Sequence, residues 1–306
     1  MKLSNHTKAL LAVFGAQITW GIAGPLVKVV LIDIPPFGLM FLRFLFTTLI
    51  LFFLYEWRLA KNAPKPTLLE KRSIFFAGFL GVFANIALYF WGQQQTTVID
   101  AWVITSSSAI FVIFLSFFFR HERLPLLVYF GAALAFLGTL VIVGDGIRQF
   151  GQGGLLGNTA MLGATLAGVI SYLITKDLVK KFPPLLLTYY FFLVSLPFAL
   201  PLFLWEYWQN PLWLVNLSFS NLTIIAYLVL GSSILAYSLS TAGLKALSPS
   251  VAATIGYSST VIAISLSIVF LHERPTLFFV FGTILVIVGL FFAESRHPAH
   301  PIHKLR

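Results

Sequence analysis

Ten stretches of roughly 20 predominantly apolar residues, each long enough to cross a bilayer as a helix, follow one another along this chain almost without pause. They cover approximately residues 8–31, 37–55, 73–94, 98–119, 125–144, 155–176, 184–205, 221–241, 250–271 and 275–294. The longest polar break, 56–72, holds two prolines and much of the clustered charge. In hydrocarbon each backbone N–H and C=O must be met within the protein, which leaves helices or closed barrels. Period-two alternation is missing, so a barrel is excluded. Only 10% of residues are charged, against about 25% in a soluble domain, which excludes a soluble enzyme, a disordered tail and a nucleic-acid binder. The fold class read from this is an all-α polytopic membrane protein with ten transmembrane helices. The first segment is too long for a signal peptide and lacks a small-residue cleavage site, so no removable leader is expected. With no cysteine, disulfides and thiolate metal sites are out of reach.

The few charges carry the orientation. With the N-terminus inside, 16 of the 20 Lys and Arg fall in inside segments, and Arg148 and Arg274 alone fall outside. Lys28 and Arg43 lie within spans. The positive-inside rule then puts both termini in the cytoplasm.

The chain also repeats itself. Residues 101–138 match 252–289 at an offset of 151, with 16 of 38 positions identical, including His121-Glu122-Arg123 against His272-Glu273-Arg274. Upstream the offset is 148, which pairs Lys28 with Lys176 and Pro35-Pro36 with Pro183-Pro184. Two five-helix repeats follow, 1–148 and 149–306. Five is odd, so the second enters the membrane from the opposite side. Inverted repeats of this kind let a central site open first to one face and then to the other.

These residues resemble the EamA-type ten-helix branch of the drug/metabolite transporter superfamily. The resemblance rests on Trp20-Gly21 followed by Lys28, on Leu42-Arg43-Phe44, and on the pairs Glu122-Arg123 and Glu273-Arg274, each with a glycine (Gly131, Gly282) eight residues after its arginine. The family often has a proline thirteen residues before each of those glutamates; here Ala109 and Thr260 stand there, so no proline-made helix break is expected. The resemblance implies a carrier of small metabolites in a prokaryotic inner membrane, with two bundles around a central cavity. It also implies that the fifth and tenth helices stand outside that cavity.

Helical spacings of three and four gather faces that could line it. The fourth segment offers Trp102, Ser106, Ala109, Ile113 and Ser116, and the ninth Ala253, Tyr257, Thr260, Ile264 and Ser267. The third offers Gly78, Gly81, Asn85, Tyr89 and Gly92, and the sixth Thr165, Gly168, Tyr172 and Thr175. Small and hydroxylated residues also serve helix packing, the preferred reading for Gly131, Gly138, Gly282 and Gly289. The candidate substrate-binding residues are Trp20, Asn85, Tyr89, Trp102, Ser106, Tyr172, Tyr237 and Tyr257. Lys28 and Arg43 are candidates for gating or charge, though each could instead snorkel to the interface. Pro197 and Pro201 are expected to kink the seventh helix.

All ten acids lie in loops or near helix ends. A buried proton relay, which usually uses Asp, Glu or His, is therefore not expected. A cavity without strong fixed charge follows as the expectation, suited to neutral or zwitterionic solutes such as aromatic amino acids. Organic cations, lipid-linked compounds and nucleotide sugars are the alternatives within transport; a receptor or scaffold is the alternative outside it. The expected partners are a small solute and the bilayer, with a homodimer left open and nucleic acid excluded. No cofactor or metal is expected: His297, His300 and His303 read as tail composition, and no catalytic constellation is present, so the chain is not read as an enzyme.

Overall fold

The computed structural model describes residues 4–54, 64–96, 101, 104–121, 124–142, 154–259, 261–263, 265 and 277–293. Trp102, Thr260, Ile264, Ser267, both Glu-Arg pairs and the histidine tail lie outside the described residues. The described residues are helical, with no strand among them. The helices are α1 (Asn5–Val30), α2 (Pro36–Leu54), α3 (Leu68–Gln95), α4 (Ser108–Arg120), α5 (Leu126–Ile142), α6 (Leu155–Leu178), α7 (Pro184–Gln209), α8 (Phe219–Gly243), α9 (Pro249–Ile255) and α10 (Leu277–Ala293), with one further helical turn, Leu212–Val215, between α7 and α8. Six of these are long and apolar enough to cross a membrane on their own; α4, α5 and α10 are shorter apolar helices.

Capping starts them where the sequence changes character. Ser4, Ser218 and Ser248 accept from the backbone N–H three residues on. Thr67 and Glu70 form a capping box at α3, meeting two of the donors that a helix start leaves open. The helix α7 runs continuously through Pro197 and Pro201.

The pairing of helices carries a two-fold. α2 lies along α7, α5 along α10, α3 along α6, α1 along α8, and α4 meets α9. Exchanging each helix for the one five places away returns the same set, as an inverted repeat requires. The main core lies between the bundles, with Phe44, Phe90, Phe182 and Phe192 fully buried. The outside is apolar too: Phe14, Phe53, Phe114, Phe130, Leu137, Leu200 and Ile287 are exposed. Patches of this extent are foreign to a monomer in water and fit lipid. The chain is an integral, polytopic membrane protein.

Two departures from regular helix repeat between the halves. α3 and α8 each contain a π-helical stretch, Phe79–Ala84 and Leu228–Leu235. Before α4 the chain turns at Ser107, whose hydroxyl donates to Ile104 O at 2.5 Å. After α9, at the same repeat position, Ser258 Oγ donates to Ile255 O at 2.7 Å. No proline stands at either position. Serine hydroxyls that compete for a backbone carbonyl make the break instead.

Candidate functional site

A cavity of about 370 Å³ opens between the two bundles. It is lined from α1, α2, α3, α4, α6, α7, α8 and α9 and from the turns before α4 and after α9, and none of the described lining residues lies on α5 or α10. Of the nominated binding residues, Trp20, Asn85, Tyr89, Ser106, Tyr172, Tyr237 and Tyr257 all face it. Arg43 joins them, and Lys28 does not.

The α1, α3 and α8 residues are tied together. Trp20 Nε1 donates to Ser232 O at 3.1 Å, inside the α8 π-stretch. Its ring meets Tyr237 edge-on with centroids 5.5 Å apart. Tyr237 Oη donates to Gly81 O at 3.2 Å, inside the α3 π-stretch. Such stretches often sit at functional sites; here each offers a backbone carbonyl to a cavity side chain from the other half. Asn85 Nδ2 donates to Ala164 O at 2.7 Å, joining α3 to α6. The Tyr257 hydroxyl is buried with no hydrogen-bond partner among the described residues, and its ring packs on Phe136, with centroids 6.3 Å apart.

Arg43 departs most from expectation. It does not snorkel: it is only 5% exposed. Nε donates to Ser233 Oγ at 2.6 Å and Nη2 to Ser232 Oγ at 3.0 Å. Ser233 in turn donates to Leu228 O at 2.9 Å, which turns its lone pairs toward the guanidinium. The cavity therefore holds a fixed positive charge, and the expectation of a cavity without one is corrected. The two serines went unnoticed in the sequence. A mid-span arginine with no acid in reach was the signal that could have found them.

Lys28 is placed by different physics. Its Nζ donates to Gln93 O at 2.8 Å, at the C-terminal end of α3. Lys176, its repeat counterpart, donates to Leu244 O and Leu247 O at the end of α8. A cation is favoured at a helix C-terminus, where carbonyls lack partners. The glycine stripe of α3 also resolves toward packing. A Cβ on Gly78 would lie 3.0 Å from Phe191 Cα, one on Gly81 2.6 Å from Ser171 Cβ, and one on Gly92 3.1 Å from Gly157 O.

At the end of the bundle where α4 and α6 finish, ion pairs link the halves. Arg120 forks onto Asp177 at 2.8 and 3.0 Å, and Lys181 pairs with Glu70 at 2.8 Å; Lys180, from the same half as Asp177, reaches its carboxylate at 2.8 Å.

A cavity shared by two interlocked halves and a lipid-facing exterior suit a carrier, and the comparisons with known proteins agree. The profile of the EamA-like transporter family matches residues 7–144 and again residues 155–294. An uncharacterized transporter of Archaeoglobus fulgidus is 23% identical over 295 residues, 96% of this chain and 99% of that protein. The uncharacterized transporter YetK of Bacillus subtilis is 26% identical over 200 residues, 65% of this chain and 58% of that protein. Solute carrier family 35 member G1 of Mus musculus is 27% identical over 233 residues, 72% of this chain and 61% of that protein. A solved crystal structure superposes with a TM-score of 0.74 at 17% identity, covering 95% of this chain and 97% of the other, and supports the fold alone. These relatives are transporters, not enzymes. With the family profile matched twice over nearly its whole length, the chain belongs to the EamA-like transporter family.

Proposed function

We propose that this transporter moves a small organic metabolite, of the size and polarity of an aromatic or zwitterionic amino acid, by alternating access. The repeats 1–148 and 149–306 act as inverted halves in a prokaryotic cytoplasmic membrane, with both termini inside. The observation that carries this reading is one cavity walled by both halves, lined by aromatic rings and by hydroxyl and amide groups. Its volume falls at the lower end of the roughly 300–1,000 Å³ of ligand pockets. Trp20, Asn85, Tyr89, Ser106, Tyr172, Tyr237 and Tyr257 contact the solute, and Trp102 is kept in the set on its sequence position. Organic cations are disfavoured by Arg43, and a nucleotide sugar would call for several basic residues where Arg43 stands as the one charged lining residue described.

Uptake of a labelled panel of amino acids, other carboxylates and cations into proteoliposomes tests the reading. Saturable uptake of an amino acid or a related small metabolite is expected, with little dependence on an imposed pH gradient. Strong acceleration by the gradient would overturn the uncoupled version.

The ion pairs between the halves act as a light latch. Asp177 is 57% exposed, and exposed pairs are worth about 0–1 kcal/mol, weak enough to break in each cycle. Asp177→Asn is expected to change the melting temperature by only a few degrees while changing the transport rate up to about fivefold. An unchanged rate at equal reconstitution would show that the latch plays no part.

A further inference from the structure

We propose that the cavity recognises a carboxylate: Arg43 holds the acid group of an organic monoanion whose aromatic or apolar body lies against Trp20 and Tyr237. This rests on the transport reading of the same cavity and narrows its substrate to organic acids, with or without an amino group.

The argument begins with donors. A guanidinium carries five N–H groups and stays charged under all ordinary conditions. The serines of α8 take one from Nε and one from Nη2. Three remain, both Nη1 hydrogens among them, without a partner among the described residues, in a side chain that lines the cavity and is 5% exposed. Neutral hydroxyls do not cancel a charge, and an ion held away from water is costly unless it is paired. Among the described lining residues there is no Asp or Glu to pair with it. The protein supplies a charged fork and omits the counter-ion. A planar carboxylate matches that fork in geometry as well as in sign.

The surroundings select the rest of the molecule. Ser232 is the hinge of the cluster: its hydroxyl accepts from Arg43 and its carbonyl accepts from Trp20 Nε1. The Trp20 ring meets Tyr237 edge-on. The charged fork and the aromatic pair therefore stand on one side-chain network, one suited to the acid group and the other to an apolar body. The described lining residues offer no carboxylate to an ammonium group, so the acid end is the one the site requires.

Phenylacetate and phenylacetamide differ at that end alone and serve as probes. Their binding to the purified full-length protein is measured by calorimetry in low-salt buffer, then repeated while chloride is titrated in. Phenylacetate is expected to bind at least tenfold more tightly than the amide. Arg43→Gln is expected to weaken phenylacetate by roughly 10- to 150-fold, the range of a charge-assisted hydrogen bond. Arg43→Lys keeps the charge without the fork and should fall between. Wild-type protein alone decides the first comparison, so a variant that fails to fold does not remove the test. Equal binding of acid and amide overturns the proposal, as does no binding of phenylacetate, or wild-type affinity in folded Arg43→Gln. Saturation by chloride that leaves no specific phenylacetate binding means an inorganic-anion site only, and overturns it too. Phenylacetate binding without any counterflow in liposomes would instead defeat the carrier reading and leave this assignment standing.

Discussion

Leucine at both Gly138 and Gly289 is expected to force α5 and α10 apart and lower the melting temperature of the detergent-solubilised protein by on the order of 10 °C. These two helices form the most extensive pairing among the described elements, and two glycines set its distance. A Cβ on Gly138 would stand 2.7 Å from Gly282 O and 2.8 Å from Val286 N. A Cβ on Gly289 would stand 2.5 Å from Ala135 N and 2.6 Å from Gly131 O. Both contacts are with backbone, so no side-chain rotation relieves them. Overpacking costs about 1–3 kcal/mol per site, and each kcal/mol shifts melting by about 2–4 °C in a protein of 150–250 residues. Between membrane helices, van der Waals contact at close approach is a principal attraction, and the substitution removes it as well as adding strain. Leu137→Ala on the exposed face is the control and should melt as wild type. Since no described lining residue lies on either helix, ligand binding by any surviving folded fraction should be unchanged. An unshifted melting curve for the double variant would show that the glycines do not set the pairing.

Much of this was legible in the sequence, because membrane proteins obey a few strong constraints. Span length exposed α1 to α3 and α6 to α8, and the paired glycines seven apart read as packing residues; the structure puts Gly138 and Gly289 at the contact of α5 with α10. The repeat is read from His121 and His272 and from Lys28 and Lys176, but which helices meet across it, α1 with α8 and α3 with α6, comes from the structure. The aromatic stripe placed Trp20, Tyr89, Tyr172, Tyr237 and Tyr257 on the cavity, because a ring next to small or polar residues has few other places to face. What stayed hidden depends on hydrogen-bond choices that periodicity does not encode. The π-stretches leave the apolar pattern of α3 and α8 intact while they change which carbonyls are available. Ser107 and Ser258 look like any hydroxylated helix residue until their Oγ atoms bond three residues back. Arg43, seven residues past the start of α2, could snorkel or turn inward; the serines at 232 and 233, some 190 positions away, decide it.

Lys28 donates to Gln93 O at the end of α3, and Lys28→Met tests whether it serves that helix end or gates the cavity. If it gates the cavity, the substitution alters transport and leaves unfolding untouched. If it closes the end of α3, Gln93 O loses its charged donor and stability falls. A hydrogen bond to a charged group contributes about 1.5–3 kcal/mol, so melting should drop by about 3–12 °C at 2–4 °C per kcal/mol. The repeat supplies an internal comparison. Lys176 serves two carbonyls, Leu244 O and Leu247 O, where Lys28 serves one, so Lys176→Met should cost more than Lys28→Met. Arginine at either position keeps a charge near the helix end and should recover part of the loss, which a purely steric effect would not. In the proposed inverted arrangement the two lysines lie at opposite faces of the membrane. A loss at both therefore ties the effect to helix ends rather than to one gate. Wild-type melting of Lys28→Met together with lost transport would return Lys28 to the gating role.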